Sequence, residues 1–178
     1  MYVMGVAAAC TTLAGVVGGC AASGSKSPKP LAKANLAKEN ELLGRVKSLE
    51  GEWELQDKLT PHDRIIFKTS SAGSAVREIM FPGKGHEMTN MYHMDGDSLV
   101  VTHYCAGGNQ PRMRATGVDG NTINFRYDSV TNYHENAEGF MGGVSLVFVD
   151  PTHIKQVWTT YKDGKASEPM VFDLVKVK

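Results

Sequence analysis

The chain has 178 residues, enough for one domain with a sizeable core plus a leader. Its 19 Lys and Arg balance 19 Asp and Glu, so no basic excess argues for nucleic acid as a partner. Hydrophobic residues at 42% and charged residues at 21% are ordinary for a soluble globular domain, and 19 Gly suit many short strands joined by tight turns.

Residues 2–19 carry no charge and end in Val17-Gly18-Gly19-Cys20. An aliphatic residue followed by two small ones and a Cys resembles the lipobox of bacterial lipoproteins, where a peptidase must close on the backbone beside the cleaved bond. The resemblance implies a signal peptide over 1–19 and a lipidated Cys20. A Ser- and Pro-rich tether over 20–34 and a folded domain over 35–178 follow. The domain is then expected outside the cytoplasm, held to a membrane by its lipid anchor. Ala21 after the Cys is similar to lipoproteins sorted to the outer membrane, which places the domain at its periplasmic face. The chain departs from the pattern in lacking Lys or Arg ahead of the apolar run. An uncleaved membrane anchor is the alternative reading of the same stretch. With Cys10 in the leader and Cys20 lipidated, Cys105 has no partner within the chain, and the three Cys follow no metal-site spacing.

Residues 31–48 read as a helix, with Leu36, Leu42, Leu43 and Val46 on or near one face. From Trp53 the apolar period becomes two. Strands are predicted over 51–55, 64–71, 75–81, 88–94, 98–105, 112–118, 122–130, 142–150, 153–161 and 168–177. Asp95-Gly96-Asp97 and Asp119-Gly120-Asn121 are the two strongest hairpin signals. About ten strands joined by short turns predict a mainly β, up-and-down antiparallel sheet, and closure into a barrel removes its edges. A two-sheet sandwich is the alternative, disfavoured by the absence of long crossing connections.

Leu49-Glu50-Gly51-Glu52-Trp53 resembles the L-x-G-x-W opening of lipocalin-like (calycin) barrels. The resemblance covers roughly residues 38–178. It implies that Trp53 begins the first strand and packs under a basic residue from near the chain end, Lys176 or Lys178. A short helix ahead of the motif is part of the same likeness.

The densest run of chemically capable side chains is 100–113, VVTHYCAGGNQPRM. A two-residue turn at Asp95-Gly96 sets Met88 opposite His103 and His86 opposite Cys105. A three-residue loop slips the register, so that His103 and Cys105 share a face with Glu87, Thr89, Met91 and His93. Both registers put Leu99, Val101, His103 and Cys105 on one side. A ligand contact at the barrel mouth is therefore expected from His103, Cys105, Arg112, Met113, His86, Glu87 and His93. Arg112 and Arg114 share a side. If inward, one guanidinium meets a carboxylate or phosphate head; if outward, the pair is solvated and Met113 faces in. Seven Met beyond Cys20 suit an adaptable interior.

Several chemistries are excluded by motif. Lys84 is followed by Gly85, so 81–88 is no phosphate loop; His86-Glu87 lacks the second His of HExxH; no Ser sits in G-x-S-x-G. The leading expectation is a membrane-tethered binding protein that holds a small apolar or amphipathic molecule inside the barrel. Two alternatives stand beside it. One is a haem- or metal-binding protein or thiol-dependent enzyme using the His/Cys cluster. The other is a structural lipoprotein with a filled barrel. No cofactor, metal or reaction is assigned.

Overall fold

The structure is a computed structural model that describes residues 32–56, 62–134 and 139–178. The leader, Cys20 and most of the tether lie outside the described residues. The first described element is helix α1 (Leu36–Glu41), whose N-cap Asn35 side chain accepts the Lys38 backbone N–H at 3.2 Å. Leu42, still in the right-handed helical region but distorted at φ −99°, separates it from a second short segment, α2 (Leu43–Lys47). Together they are the predicted N-terminal helix, interrupted at one residue. Leu42, Leu43, Val46 and Leu49 all enter the core.

The strands are β1 (Gly51–Leu55), β2 (Arg64–Ser70), β3 (Ala75–Met80), β4 (Met88–Asp95), β5 (Ser98–Tyr104), β6 (Gln110–Ala115), β7 (Val118–Asp119), β8 (Thr122–Thr131), β9 (Phe140–Asp150), β10 (His153–Lys162), β11 (Lys165–Ala166) and β12 (Met170–Lys176). Each long strand pairs antiparallel with its successor, the two-residue β7 and β11 aside, and β12 pairs back onto β1 through Trp53↔Lys176 and Leu55↔Leu174. Ten strands therefore close into an up-and-down barrel, and the sandwich is ruled out. Closure leaves no long edge exposed. Alternate residues face inward: Ile65 and Phe67 on β2, Leu99 and Val101 on β5, Ile123 and Phe125 on β8 and Ile154 on β10 are all buried. The helices pack at the end of the barrel where β1 begins and β2 ends.

The seal at β1 follows from Gly-x-Trp. Trp53 is fully buried; its indole Nε1 donates to the Leu49 carbonyl at 2.7 Å, and Lys176 Nζ lies 5.5 Å from the ring centroid. Lys176 is the basic residue that covers Trp53. Gly51 sits at φ +134°, and a Cβ there would collide with the Lys178 carbonyl oxygen and Lys176 Cε.

One stretch of wall is incomplete. The β8–β9 ladder runs only from Thr122↔Val147 to Phe125↔Val144 among the described residues. Beyond it, Tyr127, Phe140 and Tyr161 pack together, with Phe140 and Tyr161 stacked at 5.9 Å. Gly142 is flat beneath them, since a Cβ would lie 2.7 Å from Phe140 Cε2 and 2.8 Å from Tyr161 Cδ2.

Gly51→Ala is expected to cost about 2 kcal/mol, since it combines a forbidden backbone with a clash at the closing seam. Gly85→Ala, where no atom lies within 4 Å of the added carbon, should stay within about 0.5 kcal/mol of the parent. Urea unfolding of both variants checks the pair.

Candidate functional site

Strand pairing decides which of the chemically capable residues meet. The β4–β5 turn is Gly96-Asp97, flanked by the pair Asp95↔Ser98. The turn lies one residue later than an Asp95-Gly96 turn would, because Gly96 takes the φ of +60° that the turn needs. His103 consequently faces Asn90, not Met88, and Val101 faces Tyr92. Extending the register places Cys105 opposite Met88.

Inside the barrel, six side chains form one network of hydrogen bonds. Trp158 Nε1 donates to Gln156 Oε1 at 3.1 Å, and Gln156 Nε2 donates to Glu78 Oε1 at 2.7 Å. Glu78 Oε2 accepts from the Tyr92 hydroxyl at 2.6 Å and from Asn90 Nδ2 at 2.8 Å. Asn90 Oδ1 is 2.7 Å from His103 Nδ1. The Gln156–Glu78 bond joins β10 to β3, strands separated by three neighbours on one side and five on the other, so it crosses the lumen. His103 also crosses, lying on Trp158 with ring centroids 5.1 Å apart. The middle of the barrel is therefore filled by side chains, and the roomy interior suggested by the Met content is not found at that level.

The polarity of this network is fixed at two points, the Trp158 indole and the accepting oxygens of Glu78. An indole N–H can only donate, so Gln156 presents its oxygen to Trp158 and its NH₂ to Glu78. Asn90 directs its NH₂ to the carboxylate and, at 3.4 Å, to Met80 Sδ. Its oxygen then faces His103, whose Nδ1 must carry the proton. Nε2 is left with a lone pair, is buried, and has no hydrogen-bond partner among the described residues. Burial holds the imidazole down at a pKa of about 4, so it stays neutral near pH 7. Burial pushes the Glu78 carboxyl up, opposed by its three donors, and it lifts Tyr92 well above the usual phenol range, helped by Glu78.

A second acceptor lies beside this group. Asn109 is 2% exposed; its Nδ2 donates to the Gly139 carbonyl at 3.3 Å, while Oδ1 has no partner among the described residues. Thr102↔Arg112 and the Cys105 N–H bond to the Asn109 carbonyl set Asn109 across from Cys105, one inward step from His103. Met80, Met88 and Met141 belong to the same end of the barrel, close to Asn90, Cys105 and Thr160 respectively.

The remaining candidates are placed elsewhere. Met113 is inward and fully buried. Cys105 is half-buried, and its Sγ accepts the Gly107 N–H at 3.4 Å. Arg112 and Arg114 point outward, which corrects the inward option. Arg114 Nη2 is 2.8 Å and Arg112 Nη2 3.7 Å from Asp95 Oδ2, and Arg112 Nε is 3.3 Å from Asp128 Oδ2. His93 is on that outer face, because an odd-numbered residue of β4 cannot share the side of Asn90 and Tyr92. Half-burial and the Arg112 charge hold its pKa below the usual imidazole range. His86 and Glu87 are exposed in the 81–87 connection: His86 packs on the Phe81 ring at 4.9 Å, and Glu87 Oε2 accepts the Gly83 N–H at 2.7 Å. No second imidazole joins His103, and the described residues hold no group of three or more His, Cys, Asp or Glu placed to bind a metal ion.

Glu78, Asn90 and Gln156 were not singled out from the sequence. Each carries a legible signal: Glu78 lies between Val76 and Met80, Asn90 between Met88 and Tyr92, and Gln156 between Ile154 and Trp158, at the two-residue spacing of an inward face. The surface hollows are elsewhere. One of about 370 Å³ is lined by Arg45, Leu49, Phe148 and Pro151, and one of about 660 Å³ by Ala32–Leu36 and Asp95–Asp97.

With the geometry described, the chain can be compared with known proteins. It is a closed antiparallel β-barrel, a fold compatible with ligand binding. No family model and no curated protein matches it. Among solved structures, the crystal structure of Rv2717c from M. tuberculosis is similar, with a TM-score of 0.51 over 76% of this chain and 97% of that one, at 11% identity. That likeness bears on the fold alone.

The neutral buried imidazole predicts an acid response. Unfolded His takes up a proton as pH falls through about 6.5, whereas folded His103 resists until about 4. Stability contributed by this difference is present above pH 6.5 and is lost as pH falls toward 4, by about 3 kcal/mol. His103→Leu should remove that part of the slope in urea titrations run from pH 7 to 4. The opposite contribution of Glu78, whose raised pKa favours the fold at low pH, is common to both proteins.

Proposed function

We propose that this chain is a membrane-tethered, lipocalin-like binding protein that takes a small amphipathic molecule at the end of the barrel away from the helices. The observation that carries the reading is the buried His103 Nε2, an acceptor with no donor among the described residues, at the end of an otherwise completed hydrogen-bond chain. An unmet buried acceptor costs about 1–3 kcal/mol, and a ligand that supplies a donor recovers it. The flexible side chains of Met80, Met88 and Met141 can yield to an apolar tail. The filled middle of the barrel limits the ligand to this end. The lipid anchor at Cys20 would keep the domain at the periplasmic face of the outer membrane, so that cargo passes between the bilayer and the barrel.

Two experiments test the reading. Solvent extraction of the full-length protein purified from its native membranes, followed by mass spectrometry, should yield one amphipathic species in roughly equimolar amount, and His103→Leu should release most of it. Protein that yields none favours a structural lipoprotein whose outer surface does the work, a reading supported by the packed mid-barrel. Cys20→Ala should move the protein from the membrane to the soluble fraction; retention in the membrane would overturn the tether.

A further inference from the structure

The hydrogen-bond chain also selects the chemistry of the ligand's head, on the premise that the far end of the barrel is a binding site. We propose that the head is neutral and donates a hydrogen bond, as an alcohol hydroxyl or an amide N–H does, and that it is met by His103 Nε2 with Asn109 Oδ1 beside it. Two independent observations point the same way. His103 is fully buried with its lone pair unclaimed, and Asn109, 2% exposed, has its own amide oxygen unclaimed. Both are acceptors. A carboxylate or phosphate brought to this end would face two acceptor groups. The nearby guanidinium groups of Arg112 and Arg114 are on the outside of the wall, committed to Asp95 and Asp128.

The selection is imposed from a distance. Trp158 orients Gln156, Gln156 and Tyr92 claim the Glu78 carboxylate, Asn90 turns its NH₂ toward that carboxylate, and the imidazole is left with its proton on Nδ1. Glu78 is thus a positioning residue. Glu78→Gln replaces an acceptor-only carboxylate by an amide whose NH₂ confronts Asn90. Asn90 must then turn its oxygen to position 78 and its NH₂ to His103 Nδ1, which moves the imidazole proton to Nε2.

Three twelve-carbon probes separate the possibilities: dodecan-1-ol, dodecyl methyl ether and dodecanoate, titrated at pH 7 with tryptophan fluorescence as the readout. Dodecan-1-ol is expected to bind about tenfold or more tighter than either of the others, the worth of one buried hydrogen bond. His103→Phe should reduce dodecan-1-ol to the affinity of the ether. Equal binding of alcohol and ether, or tightest binding of dodecanoate, overturns the assignment of the head while leaving a binding barrel in place. No binding of any probe overturns the binding site together with it. Imidazole ¹⁵N NMR supplies a readout independent of ligand: His103 should show a protonated Nδ1 and a bare Nε2, exchanged in Glu78→Gln. A wild-type spectrum with the proton on Nε2 overturns the proposal.

Discussion

An indole N–H and a buried carboxyl group together order the interior of this barrel. Trp158 can only donate, which turns the Gln156 amide; the Glu78 oxygens accept from that amide and from Asn90, which leaves the Asn90 oxygen to the His103 imidazole. The bond from Gln156 to Glu78 ties opposite walls of the tube together without passing through the backbone. Buried polar networks stabilise only when every member is satisfied, and a half-satisfied one is worse than an apolar core. Here five of the six residues are satisfied and the sixth, His103, is satisfied on one nitrogen only. The exception is localised toward the end of the barrel away from the helices.

The apolar framework around this network is conventional. Alternation of inward and outward residues on ten strands builds a tube, and α2 with Leu42 and Leu49 stoppers one end. The first and last strands close it through Trp53, Lys176 and the flat backbone at Gly51. What is unusual is a carboxyl group at the centre with no ion pair to a cation among the described residues. Its oxygens are met by three donors, one of them a phenol. Such an arrangement tolerates little substitution, because an apolar replacement of Glu78 leaves Gln156, Tyr92 and Asn90 each without its acceptor.

Much of the fold was legible in the sequence, and less of the site. Strand limits such as 51–55 and the D-G turns are local properties of the chain, and closure followed from the run of hairpins. The inward side of His103 also followed from parity. Its partner did not, because a turn displaced by one residue, from Asp95-Gly96 to Gly96-Asp97, moves every cross-strand neighbour. His86 was grouped with His103 on the Asp95-Gly96 register, and Glu87 and His93 on the three-residue alternative; the observed pairing is neither. Glu78, Asn90 and Gln156 escaped notice for a different reason. A polar residue in an alternating strand is ordinarily an outward one, and only the apolar residues two positions to either side reveal that these point in. Their convergence belongs to the tertiary structure, since 78 positions separate Glu78 from Gln156. The lipobox reading falls on residues beyond those the structure describes.

The wall between β8 and β9 has a property that the rest of the tube lacks. Past Phe125 and Val144 the two strands are held by aromatic rings lying over Gly142 and no longer by a backbone ladder. Ring contacts are weaker and less directional than paired amides, so this is where the cylinder can part while its other seams stay laced. Trp158 and the imidazole lie just inside the neighbouring strand. At this seam the cylinder depends on side-chain packing, where its other seams depend on the backbone.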